Sequence, residues 1–150
     1  MRNNQMQDFP HCYHVSVTAE PDGNIALKAD DSPLLIVATA AEFGGPGDQW
    51  SPETLLVGAV TSGFTLSFRT IAGTSKLAWN SLACSAEGVL EPIGGVARFT
   101  AISISATLTV PAGTDSSKAQ TLLEQAEAAC MITRSLLSET RLKTDIIVES

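Results

Sequence analysis

A chain of 150 residues has room for one domain with a sizeable core, and 44% hydrophobic against 17% charged residues is the balance of a globular chain rather than a disordered one. A net charge of -7 disfavours nucleic acid and anionic lipid surfaces as partners. Three widely spaced cysteines, Cys12, Cys84 and Cys130, do not make a disulfide framework and suit a reducing, cytoplasmic setting. The first ten residues lack the apolar stretch of a signal peptide. No unbroken apolar run approaches 18 residues, so no bilayer-spanning segment is expected.

In chain order, 11–19 alternates and is rich in Val, Tyr and Thr, predicting a strand. Turn signals at 21–24 and 30–33 separate it from strands at 25–29 and 34–39, an antiparallel meander. A Gly/Pro-rich loop, 43–50, leads to Ser51-Pro52-Glu53, a helix start with a cap, a proline in the first helical position and an acid where the helix dipole favours it. This helix is expected to run to about Ala72. From Leu55 to Phe68 it carries no charge on any face, so burial nearly all round is expected. A strand at 82–90, a turn at 92–95 and a second strand follow. In the latter Ile102, Ile104, Ala106, Leu108 and Val110 share one face, while Phe99 falls out of phase and hints at a bulge near Thr100. Ser116 or Ser117 is expected to cap a second helix reaching about Ile132, with Leu122, Leu123, Ala126, Ala129 and Cys130 on its apolar stripe. A helical turn at 135–138 and a strand at 142–148 close the chain. Strands joined by hairpins give an α+β fold in a single domain, 1–150.

Two stretches carry a resemblance. One is Phe43-Gly44-Gly45-Pro46-Gly47-Asp48-Gln49-Trp50-Ser51-Pro52-Glu53, continuing through Leu55-Leu56-Val57-Gly58-Ala59. The other runs from Glu124 through Cys130 to Leu136. Together, in this order and at this separation, they resemble the OsmC/Ohr family of organic-hydroperoxide thiol peroxidases, proteins of the oxidative-stress response. The resemblance implies antiparallel sheets wrapped around central helices in an intertwined homodimer, with each site at the dimer interface. It also implies a mechanism without a cofactor. A cysteine ten residues after the Pro-Glu glutamate attacks the peroxide O–O bond as a thiolate and becomes a sulfenic acid. A second cysteine converts it to a disulfide, and a dithiol reopens that. An arginine held by the glutamate lowers the first thiol's pKa.

On that pattern Glu53 stands at the site carboxylate and Cys130 at the second cysteine, but Gly63 stands where the nucleophile belongs. The family's arginine lies either in the first turn, here Glu20-Pro21-Asp22-Gly23, or before the Gly-rich loop, here Glu42-Phe43. No arginine occurs between Arg2 and Arg69. No standard peroxidase cycle is therefore expected.

Each candidate also has a plainer explanation. Glu53 suits any helix start. Cys130 suits a buried apolar stripe and Cys84 a packed strand. Gly63 suits either close helix packing or space for a small hydrophobic or hydroperoxide-like ligand lined by Trp50, Phe64 and Phe68. On a strand, His11 would face away from Cys12 and His14, so no metal site is expected. Two functions stay open: a dimeric domain that binds an apolar ligand, or a thiol enzyme using Cys130 in altered chemistry.

Overall fold

The computed structural model describes residues 6–150. They form two compact units, divided between Glu53 and Thr54.

The first unit is a three-stranded antiparallel meander of β1 (Val15–Thr18), β2 (Ile25–Ala29) and β3 (Leu35–Val37). The expected first and third strands are shorter than predicted: 11–14 lies outside any strand, and β1 is exposed along its whole length. Alternation in sequence marks where a strand is possible, but only the ladder to β2 marks where one forms. A 3-10 turn at Ala41–Phe43 ends in left-handed Gly44 (φ 91°). Gly45 follows, and a Cβ there would fall 1.6 Å from the Thr39 carbonyl oxygen. No side chain fits, so the Gly-rich loop is a backbone requirement of this fold.

The second unit contains most of α1 (Pro52–Thr74), then β4 (Ser81–Ile93), β5 (Val96–Val110), α2 (Ser116–Ala129), α3 (Met131–Arg134) and β6 (Glu139–Val148). β4 and β5 form a hairpin whose turn narrows to Gly94-Gly95, both left-handed. The register shifts between Val89 and Leu90, leaving Thr100 as the extra residue of a bulge, where the sequence pattern places it. Its hydroxyl bonds to the Glu91 carboxylate. The expectation that hairpins alone join the strands does not hold. β6 pairs parallel to β5 along its full length, and α2 with α3 makes the crossover.

The core lies between the inner faces of these strands, α1 and α2. Ile102, Ile104, Ala106, Leu108 and Val110 are each at most 2% exposed, as the alternation predicts. α2 brings Ala119, Leu122, Leu123 and Ala126. Its cap is Asp115, whose carboxylate accepts from the Ser117 and Lys118 amides (2.9 and 3.3 Å), rather than either serine that follows. α1 ends at left-handed Lys76, with the Leu77 amide returning to the Ala72 carbonyl (3.0 Å).

The chain departs from expectation most in how α1 is covered. Its buried residues are Val60, Phe64, Phe68 and Ala72, one stripe at a spacing of four, while Leu66 is 52% exposed. A helix resting on one layer hides only one side, so the uncharged flank stays open in a single chain. Counted as a window rather than as unbroken apolar residues, α1 is also long and apolar enough to cross a bilayer, and 22% of that window is buried. Thr61, Ser62, Thr65 and Thr70 bond back to carbonyls four residues earlier, so their hydroxyls need no outside partner.

Candidate functional site

Gly63 sits in mid-helix, where glycine costs about 1 kcal/mol relative to alanine, so a neighbour must require it. The neighbours are Cys130 and Ile132. A Cβ on residue 63 would stand 3.3 Å from Cys130 Sγ and 3.1 Å from Ile132 Cγ1. The space beside Gly63 is thus filled by these two side chains. Close packing accounts for the glycine, and no gap adjoins it on that side.

Cys130 is 0% exposed, but it is not on a continuous helix stripe as expected. It is the break between α2 and α3, with extended backbone (φ -65°, ψ 110°), and Ala129 beside it is exposed. Its amide donates to the Glu127 carbonyl (3.3 Å), and its own carbonyl accepts from the Arg134 amide (3.1 Å) and the Thr133 hydroxyl (3.0 Å). Arg134 Nε reaches back to the Ala128 carbonyl (2.7 Å) and satisfies an end of α2 that the break leaves open. The helical turn expected at 135–138 lies earlier, as α3, for the same reason.

Phe64 and Phe68, expected to line a ligand space, are both 0% exposed in the core, with Phe68 edge-on to Trp79 at 5.4 Å between ring centroids. Trp50 belongs to the first unit. It is 49% exposed, bridges Val37, and its carbonyl accepts from the Ala38 amide (2.9 Å). The structure therefore brings together Gly63 and Cys130, and places both phenylalanines in packing.

Glu53 is the acid in the first turn of α1, and its Oε2 is buried with no hydrogen-bond partner among the described residues. Burying a carboxylate oxygen unpartnered is costly, so the position asks for a donor beyond those the described residues supply.

All three cysteines are free thiols. Burial pushes the Cys84 thiol up, opposed by a hydrogen bond with the Thr65 side chain, which makes it a poor nucleophile. His11, Cys12 and His14 are exposed and lie outside β1, so their strand facing does not arise. Among the described residues no group of three or more His, Cys, Asp or Glu is placed to hold a metal ion. Sequence reasoning missed Ile132, because nothing local links it to a glycine 69 residues earlier.

The chain thus has an α+β fold with two three-stranded sheets and a long helix that presents a glycine to a buried thiol. The chain belongs to the OsmC-like protein family, whose pattern matches residues 45–145. No curated protein sequence matches it significantly. Among solved structures, an OsmC-like protein of unknown function from Vibrio cholerae superposes with a TM-score of 0.81 at 18% identity, covering 92% of this chain and 100% of that one. An organic hydroperoxide resistance protein from Elizabethkingia anophelis, holding thiocyanate from the crystallisation medium, gives 0.74 at 17%, covering 95% and 100%. An OsmC-like protein from Mycoplasma pneumoniae gives 0.74 at 11%, covering 95% and 100%.

Proposed function

We propose that this chain is a relative of the organic-hydroperoxide thiol peroxidases that has lost their standard cycle and works as a cytoplasmic homodimer binding a small hydrophobic ligand. One distance carries the reading. Across a disulfide the Cβ of one cysteine lies about 3.0 Å from the other's Sγ, given an S–S bond of about 2.05 Å. The corresponding distance from residue 63 to Cys130 is 3.3 Å. Position 63 is therefore where a partner thiol would sit, and glycine holds it. The cycle needs a thiolate there to take the terminal peroxide oxygen and expel an alkoxide. It then needs a second thiol to displace water from the sulfenic acid. Removing a nucleophile costs about 10^6 in turnover in a serine protease, so residual catalysis should be negligible.

The open flank of α1 and the Glu53 Oε2 that has no partner among the described residues support a second copy as the missing cover. Net charge of -7 argues against nucleic acid or anionic membrane as the alternative partner. The competing assignment, a thiol enzyme using Cys130 alone, is disfavoured by that residue's complete burial.

The experiment is hydroperoxide consumption with a dithiol reductant, alongside sedimentation at micromolar concentration. The expected outcome is no turnover and a dimer. Turnover like that of active relatives, abolished by Cys130→Ala, overturns the lost-activity reading, and a monomer overturns the assembly.

A further inference from the structure

We propose that Ile132 is the plug of this site, a side chain that occupies from α3 the volume a residue-63 side chain would take and so seals the Cys130 thiol. The inference rests on the reading of Gly63 as the vacated thiol position, and it adds the residue that regulates access there. Two contacts define the lock. Beside an added Cβ on Gly63, Ile132 Cγ1 would lie at 3.1 Å and Ile132 Cβ at 3.7 Å, with Cys130 Sγ at 3.3 Å. Ile132 is thus seated against the glycine next to the sulfur, and it also packs on the core cluster.

The segment that carries it is small. α3 has four residues; Met131 among them is 71% exposed, so Ile132 is its inward-facing apolar anchor, with Leu136 just beyond α3 also packed on the core. Local bonds set its shape: Arg134 Nε to the Ala128 carbonyl, Thr133 Oγ1 to the Cys130 carbonyl and Ser135 Oγ to the Met131 carbonyl (2.7, 3.0 and 2.8 Å). These fasten α3 to itself and to the end of α2. A surface segment held inward by few apolar contacts opens at a lower cost than the core. A reagent therefore reaches Cys130 by lifting α3, and the seating of Ile132 on Gly63 sets how often that happens.

The test measures alkylation of Cys130 by iodoacetamide, read by peptide mapping with exposed Cys12 as the internal standard. Melting curves accompany it for Ile132→Ala, Ile132→Val, and each combined with Gly63→Ala. Ile132→Ala should speed Cys130 labelling by about tenfold or more relative to Cys12 while unfolding stays cooperative, with Ile132→Val between. Gly63→Ala should lower the melting temperature in the native background and lose most of that effect when Ile132 is Ala, since only the Cys130 Sγ contact at 3.3 Å then remains. Ile132→Val keeps the Cγ1 and Cβ that the new methyl meets, so if Ile132→Ala proves poorly folded the test falls to Gly63→Ala alone: its methyl unseats Ile132 and should speed Cys130 labelling relative to Cys12, and unchanged labelling overturns the plug. Unchanged labelling in a folded variant, or an equal cost of Gly63→Ala in both backgrounds, overturns the plug. Hydroperoxide turnover by the native protein would instead refute the proposed function and leave these readouts as they are.

Discussion

Putting a thiol back at position 63 tests the geometry from both sides. Gly63 lies in ordinary helical backbone, so Gly63→Cys gains only about 0.3 kcal/mol of helix preference. Against that, the new Cβ meets Ile132 Cγ1 at 3.1 Å and Cys130 Sγ at 3.3 Å. Both distances are inside the usual carbon contact of about 3.5–4.0 Å, and overpacking of this kind costs about 1–3 kcal/mol. The reduced variant should therefore be less stable than the native chain by about 0.7–2.7 kcal/mol. Oxidation reverses the sign. A bond between residues 63 and 130 closes a loop of about 68 residues, and the chain-entropy relation assigns such a loop about 4 kcal/mol. Melting with and without reductant should thus bracket the native curve, reduced below and oxidised above. Peroxide should form this bond slowly, because a buried thiol with no cation beside it holds little thiolate at neutral pH. Adding an arginine at Pro21 or Glu42, the places the family resemblance assigns to its cation, should raise that rate. If no disulfide forms under strong oxidant, residues 63 and 130 do not face each other as described. If Gly63→Cys alone turns over hydroperoxide as fast as active relatives, the argument from the missing cation is wrong.

Two further substitutions probe the frame around the site. A Cβ on Gly88 would fall 2.7 Å from Val57 Cγ2 and 2.9 Å from Phe99 Cε1, so Gly88→Ala should destabilise by about 1–3 kcal/mol in chemical denaturation, with the denaturant slope unchanged. A cost near zero would mean that the ring beside the bulge yields freely. Asp115→Ala removes the acceptor of two amides at the start of α2 and should cost about 1 kcal/mol by the same measurement, whereas Ser116→Ala should cost less.

What could be read from the sequence was local. The alternation from Ile102 to Val110 marks a buried strand face, and Phe99 dropping out of phase locates the extra residue at Thr100. Ser51-Pro52-Glu53 marks a helix start within a residue of its position. The remainder is set by contacts distant in sequence. Alternation identifies β6 as a strand but carries no direction, so the parallel crossover was not visible. Residues 116 to about 132 read as one helix because no Gly or Pro interrupts them. The break at Cys130 is made by bonds on either side of it, among them Arg134 reaching back to Ala128. Asp115, Ser116 and Ser117 are all good caps, and only the observed amide bonds choose among them.

The same division explains the central helix. Fourteen positions from Leu55 to Phe68 carry no charge, which is more burial than one side of a helix needs. The second unit covers one stripe of it and leaves Leu66 in water, while the helix's first acid keeps a buried oxygen without a donor among the described residues. Neither feature stabilises an isolated chain: exposed apolar surface forfeits about 25 cal/mol for each Å² left wet, and an unpartnered buried oxygen adds a desolvation cost. Both penalties vanish if a second apolar surface bearing a hydrogen-bond donor closes over α1. The burial that the sequence calls for is thus larger than one chain provides, and the difference is the physical basis for proposing that the protein functions as two copies.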